Sequence, residues 1–407
     1  MATSYLAPGL YIEEAPTGVR TIEAVGTSTP AFIGEAPNPD ARVGVAEAIN
    51  DWEQFKRKFV SNGSASTMLS HAVFGFYNNC GRGRCYVVNI GKQTVETALD
   101  QLERIDDIAI VAAPGYTDFP SQDALLNHCQ KMNRFAILDA PREVKNIASL
   151  TQTGSVSEPA GAARAGKPAD GDATERAAEA ADDAGVGPPD STFGAFYFPW
   201  ITVQDALNTK LRVIVAVPPS GHLAGIYART DARRGVHKAP ANERINGAYD
   251  VTYRVTDSEQ EVLNPAGVNC IRFFTREGVC VWGARTVAKT SIEWRYVNVR
   301  RTYQWISKSI RGGTKWVVFE PNDPSLWKNI RSNVEQFLLQ AWRGGALFGT
   351  SPEQAFFVKC DAETNPPEEI ESGRVIAVIG IAPVRPAEFV LFRIGQGVGG
   401  AEIETVS

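Results

Sequence analysis

CYVVNIGKQTVETALDQLERIDDIAIVAAPGYTDFPSQDALLNHCQKMNRFAILDAP, residues 85–141, decides the fold class. CYVVNI is a strand, VETALDQLERI a helix and IAIVAAP a second strand. SQDALLNHCQKMN reads as a helix that opens at a serine cap, with His128 between sheet and solvent, and FAILDAP is a third strand. Strand–helix–strand–helix–strand in that order requires right-handed crossovers and a parallel sheet. The centre of the chain is therefore α/β.

Toward the N-terminus, STPAFIGEAP reads as a strand that ends at a turn. AEAINDWEQFKRKFV places Ile49, Trp52, Phe55 and Phe59 on one helical stripe. MLSHAVFGFY continues as a helix with Leu69, Val73 and Phe76 inward and His71 on the surface. The first two dozen residues alternate turn formers with one strand-like piece, Leu10, Tyr11, Ile12 and Glu13.

Toward the C-terminus the composition changes between Thr151 and Ser191 to Ala, Gly, Pro, Asp and Glu, which cannot fill a core and reads as a flexible surface insertion. AFYFPW and RVIVAVPP resume regular structure, and NCIRFFT and VCVWGART are strands joined by the turn REG. WRYVNVRRTYQWISKSI is an amphipathic helix and KWVVFE a buried strand. The next helix has Asp323 as cap, Pro324 in the first turn and Gly344–Gly345 at its end, with Leu326, Ile330, Val334, Phe337 and Ala341 inward. Three strands follow, in AFFVKC, RVIAVIGIAP and AEFVLFRI.

A net charge of −5 over 407 residues argues against nucleic acid as the main partner, because such a binder needs a basic surface. No stretch approaches the roughly 20 apolar residues of a membrane helix, and MATSYLAPGLYIEE has no signal-peptide pattern. A cytosolic origin is expected, so the six cysteines count as thiols. Cys80 and Cys85 are not completed by a second close pair, so no metal is expected.

Three motifs imitate chemistry. Gly395, Gly397 and Gly400 spell GxGxxG after a strand, but no helix follows to hold a pyrophosphate. RGGTK at Arg311 lacks the order of a nucleotide-binding loop, so no cofactor is expected. Ser220, His222 and Asp231 suggest a triad, but PPSGH is not a nucleophile elbow. Arg229, Asp231, Arg233 and Arg234 are expected to pair with one another or with a neighbouring subunit. A cytosolic α/β hydrolase using Ser220 and His222 stays as the alternative function.

In AEFVLFRI both faces are apolar: Phe389 and Leu391 point one way, Val390, Phe392 and Ile394 the other, with Arg393 between. Such a strand is either the centre of its own sheet or is donated to a neighbour.

The chain resembles contractile tail sheath proteins of phage tails, R-type bacteriocins and contractile injection systems. The resemblance is carried by SYLAPGLYIEE, TPAFIGEAP, CYVVNIG, IVAAPG, FAILDAP, GIYARTDARRGVHKAPAN, LNPAGVNCIRFF, VWGARTV, WRYVNVRR, WVVFEPNDPSLW, GALFG, FFVKCD and PVRPAEFVLFRI, in family order. It implies a structural subunit rather than an enzyme, a multi-domain α/β (mixed α+β) fold with a mixed-sheet core, and extended terminal β-arms. Hexameric rings would stack around an inner tube, between baseplate and terminal cap proteins, without nucleic acid or membrane insertion. Assembly would take place in the cytoplasm of the producing bacterium, and the product would be a phage tail or tail-like particle.

The expected division is an N-terminal arm at 1–24, a first core part at 25–90, an α/β domain at 91–200 with the insertion at 151–191, a core and C-terminal sheath domain at 201–383, and a C-terminal arm at 384–407. Leu10–Glu13 and Phe389–Ile394 would be the exchanged strands. Lys328, Arg331 and Glu335, opposite the inward stripe of their helix, are the expected inner-tube contact.

Overall fold

The computed structural model describes residues 21–154, 185–208 and 213–390. The first strand, β1 (Pro30–Gly34), is followed by β2 (Ala46–Ile49), α1 (Trp52–Phe59), α2 (Met68–Cys80) and β3 (Cys85–Asn89). Then come α3 (Val95–Leu102), β4 (Ile110–Ala112), α4 (Phe119–Met132) and β5 (Phe135–Asp139). Beyond the insertion are β6 (Gly194–Phe198), β7 (Ile201–Gln204), β8 (Ile214–Val217) and α5 (Ser220–Arg234). Next are β9 (Glu243–Arg244), β10 (Ala248–Val251), α6 (Asp257–Leu263), β11 (Val268–Phe274) and β12 (Gly278–Val281). The chain continues with α7 (Val297–Gly313), α8 (Pro324–Arg343), β13 (Phe356–Lys359) and β14 (Val378–Ile381).

One nine-stranded sheet has the order β2-β3-β1-β4-β5-β6-β11-β12-β9. Its six central strands are parallel, and antiparallel strands close both edges. β1 lies between β3 and β4, with Phe32 opposite Val87 on one side and Ala112 on the other.

Period-two alternation divides the strands between two cores. Phe32, Val87, Ile137 and Tyr197 face α1, α2 and α5, whereas Ile33, Val88, Leu138 and Phe198 face α3 and α4. Burial on both faces is why these strands read as unbroken apolar runs. On the first face α2 and α5 cross closely. A Cβ on Gly221 would fall 2.2 Å from the Ala72 Cα, and one on Gly225 2.6 Å from the Phe76 carbonyl oxygen.

The C-terminal unit has its own core, in which Leu326, Ile330, Val334, Phe337, Leu338 and Ala341 of α8 meet Ile306 of α7, Ile22 and Ala355. Asp323 caps α8 by accepting from the Leu326 amide at 2.7 Å, and Gly344 ends it. β13 and β14 form a two-stranded antiparallel sheet over this helix. α7 joins the two regions: Val297 and Val299 are buried against the body, and Ile306 belongs to the C-terminal core.

Several expectations are corrected. KWVVFE is a short 3-10 turn, Lys315–Val317, followed by exposed Val318 and Phe319, because no neighbouring strand is available to pair with it. Ile49 belongs to β2, and the helix starts only at Trp52, behind its Asp51 cap. The cap of α4 is Asp118, which leaves Ser121 inside the helix. His71 is buried, since α5 covers the face of α2 that the local pattern assigns to solvent. His128 is buried too, accepting from Arg134 Nη1 at 2.8 Å.

Candidate functional site

The polar residues at 220–237 lie on or just beyond α5. Ser220 Oγ donates to Asp139 Oδ2 at 2.6 Å, and the Ser220 amide donates to Asp139 Oδ1 at 2.9 Å. Asp139, at the end of β5, thereby supplies the helix start that Pro219 cannot cap. Burial raises the Asp139 carboxyl to about 6, against the opposing bonds from Ser220 and Gly115.

His222 is packed against Gly75, and burial, then His71, holds it near 3. Asp231 pairs with Arg301 at 2.6 Å and accepts from Thr27 Oγ1 at 2.6 Å. Ser220 and Asp231 therefore each serve a separate structural bond while His222 is packed against α2, so the three residues that imitate a triad do not assemble as one. Arg229 reaches Glu243 and the Arg244 carbonyl, so Arg229 and Asp231 find partners elsewhere in the same chain, not in one another.

RGGTK terminates α7, whereas a phosphate loop must precede a helix. Among the described residues there is no cluster able to hold a metal. A cleft of about 730 Å³ opens beyond the ends of β1 and β4, lined in part by Ser66, His71, Tyr116, Arg142 and Asp205. Asp205 is already committed there to Ser66 Oγ and to the Leu207 and Asn208 amides. The sequence reading missed this cleft because it is assembled from segments far apart in the chain, from Gly34 to Ala216.

The remaining features are surfaces. Lys328 and Glu335 are exposed on α8, and Arg331 Nε lies 3.9 Å from Glu335 Oε1, so the three share the outer face expected of them. Phe348 and Phe357 are exposed on or beside the small sheet. Leu10–Glu13 and Leu391–Ile394 lie outside the described residues, as do Gly395, Gly397 and Gly400. Phe389 and Val390 are about three-quarters and two-thirds exposed (75% and 68%) and belong to no strand within the subunit.

Both terminal segments are anchored beside α7. The Val25 amide donates to Ser309 Oγ at 3.1 Å, and Arg301 Nη2 donates to the Thr27 carbonyl at 3.0 Å. At the other end Glu388 accepts from Arg285 Nη2 at 2.6 Å, Arg285 Nε at 2.8 Å, Asn264 Nδ2 at 2.8 Å and Tyr296 Oη at 3.0 Å. Burial pushes the Glu388 carboxyl up, but the bonds from Arg285 and Asn264 outweigh it and hold the group below the usual range. No motif in the sequence marks this clamp.

The base of the insertion is also pinned. Thr153 and Gly187 form a parallel bridge, and Lys289 Nζ donates to Thr153 Oγ1.

Residues 89–287 match the family model described as the phage tail sheath protein central domain, and 289–396 match the phage tail sheath C-terminal domain. The tail sheath protein of Salmonella phage ViI is 26% identical over 187 residues, which is 45% of this chain and 28% of that protein. A putative prophage major tail sheath protein of Pseudomonas aeruginosa (strain UCBPP-PA14) is 27% identical over 202 residues, 48% of this chain and 49% of that protein. The chain thus spans less than half the length of these curated relatives. The sheath of an extracellular contractile injection system, PVC, in its contracted state is similar with a TM-score of 0.76 at 28% identity, over 98% of this chain and 99% of that one.

Proposed function

Because the chain belongs to the phage tail sheath family, we propose that it is the structural subunit of a contractile sheath. Subunits polymerise as stacked hexameric rings around an inner tube, between a baseplate and a terminal cap, and contraction drives the tube through a target envelope. The observation that carries this reading is the end-to-end likeness to a sheath subunit in a contracted injection system. The subunit works by repacking rather than by catalysis, and it is assembled in the cytoplasm of the producing bacterium.

The reading assigns three surfaces. Residues 1–24 and 384–407 are the arms, and each crosses to a neighbour from its anchored root. The small β13–β14 sheet is short, and strand addition by a neighbour's arm supplies the partners it lacks. Lys328, Arg331 and Glu335 face the inner tube, where each exposed ion pair contributes only about 0.2–1 kcal/mol, multiplied over every ring.

Electron microscopy of the purified chain tests the reading, with tubes or ring stacks as the expected result and a persistent monomer as the result against it. Truncation after Glu388 tests the arm, because it keeps the carboxylate on Arg285. The shortened chain is expected to fold and to form no sheaths. Lys328→Glu combined with Arg331→Glu is expected to give empty, contracted-type sleeves. Normal tube-filled particles from that variant would return this face to solvent.

A further inference from the structure

Two adjacent arginines on the second turn of α7 are treated oppositely. Arg301 is buried against Asp231, an ordinary compensated pair. Arg300 is only 8% exposed and pairs with no carboxylate among the described residues. Its Nε has no hydrogen-bond partner. Its guanidinium carbon lies 3.7 Å from the centre of the Phe193 ring, 4.7 Å from Trp294 and 5.6 Å from Tyr303. Trp294 and Tyr303 are themselves packed edge to face at 5.1 Å, which fixes the cage.

Three rings return part of the hydration that Arg300 has lost, at about 0.5–2 kcal/mol for a cation–π contact. Losing water from an unpaired cation costs several kcal/mol, so the rings alone leave a deficit. Proximity to the amino end of α7 adds to it, since the helix dipole disfavours positive charge there. Burial accordingly lowers the Arg300 pKa to about 10. The site is shallow: Tyr303 is exposed, Phe193 and Trp294 are half-buried, and Ile292 beside them is two-thirds exposed (67%). Glu293, one residue from the cage, makes no ion pair with Arg300.

We propose that the Arg300 cage is an inter-subunit receptor for a carboxylate carried by a second copy of this chain. It rests on the self-assembly reading above. The planar guanidinium fork held between rings matches a carboxylate bidentately, which a lysine cannot do. An acidic subunit offers that group readily, with 46 Asp and Glu against 41 Lys and Arg. Docking would supply the counter-charge that no described residue of the subunit provides.

The test compares the full-length parent with Arg300→Met and Arg300→Lys, by thermal melting of unassembled subunits and by sedimentation and electron microscopy of assembly. Met fills the cage without charge, so the subunit is expected to melt no lower than the parent. Its assembly should need a subunit concentration at least ~10-fold higher, as for loss of a buried interfacial charge pair. Arg300→Lys should fall between the two. A clear drop in melting temperature for Arg300→Met would make the cage an internal structural element and overturn the proposal. Normal assembly of Arg300→Met from an assembling parent would also overturn it, while leaving the sheath reading intact. Saturable binding of acetate to parent subunits, with unimpaired assembly of Arg300→Met, would assign the cage to a small anion instead. A parent that never assembles defeats the sheath reading itself, and this inference with it.

Discussion

The body and the C-terminal unit solve burial differently. In the body the sheet is covered on both faces, and its buried Asp231, Asp139 and Arg134 all have partners inside the chain. The C-terminal unit has one core beneath a two-stranded sheet, and two strands rarely stand alone in water. Among the described residues every exposed phenylalanine except Phe273 belongs to this unit or to the segment leaving it, and Phe273 is covered by Arg254. The ion pairs of the body close within one chain, whereas the exposed phenylalanines concentrate in the C-terminal unit.

The sharpest test of that internal pairing is Asp231→Ala. It strands Arg301 in the interior without a counter-charge and removes the acceptor for Thr27. A loss of about 3–5 kcal/mol is expected in urea unfolding. A loss under 1 kcal/mol would mean that the pair is hydrated and the body less closed than it looks.

Leu338→Ala probes the other side. Leu338 is wholly buried in the C-terminal core, so about 2–5 kcal/mol should be lost. That loss should be seen first as faster amide hydrogen exchange in α8 and β13 than in the nine-stranded sheet. If body and unit lose structure together, they are one cooperative block and the comparison fails.

Acid should act on the body more than on the unit. His128 and His222 are held to about 4 and 3 by burial, and His71 is lowered as well. Their stabilising contribution is present above the unfolded value near 6.5 and is lost as pH falls toward the folded values. Asp139 opposes them: its raised pKa favours the folded state at low pH, and that contribution disappears as pH rises through about 6. Between pH 6.5 and 4.5 each uncompensated proton changes stability by about 1.4 kcal/mol per pH unit. His222→Gln should flatten the acid slope and Asp139→Asn should steepen it, as measured by urea midpoints across that range. Unchanged slopes in both variants would place the acid-sensitive groups outside the α2–α5 interface.

The smallest effect is expected at the loop tip between α7 and α8. Phe319 is fully exposed, so Phe319→Ser should change subunit stability by no more than about 0.5 kcal/mol. A larger loss would show that this side chain is used within its own chain.

Local signals made much of the fold legible. The alternation at 85–141 was right about every strand and helix, and the Asp323 cap with its Gly344 stop bounded α8 to the residue. Lys328, Arg331 and Glu335 share the outer face of that helix because 3.6-residue periodicity leaves them no other place. KWVVFE misled because an apolar run becomes a strand only beside another strand. His71 misled because a polar residue on a helix reads as exposed until a second helix is known to cover it.

Periodicity and capping act between residues a few positions apart, so the sequence by itself determined where most elements lie and which of their faces is apolar. Only the tertiary structure decided the meaning of the polar residues. Ser220 meets Asp139 across 81 positions, Asp231 meets Arg301 across 70, and Glu388 meets Arg285 across 103. Serine, histidine, aspartate and arginine are the same chemical groups in a catalytic triad, a helix start or an arm clamp. What separates these roles is distance and desolvation, and both arise only when remote segments are packed together.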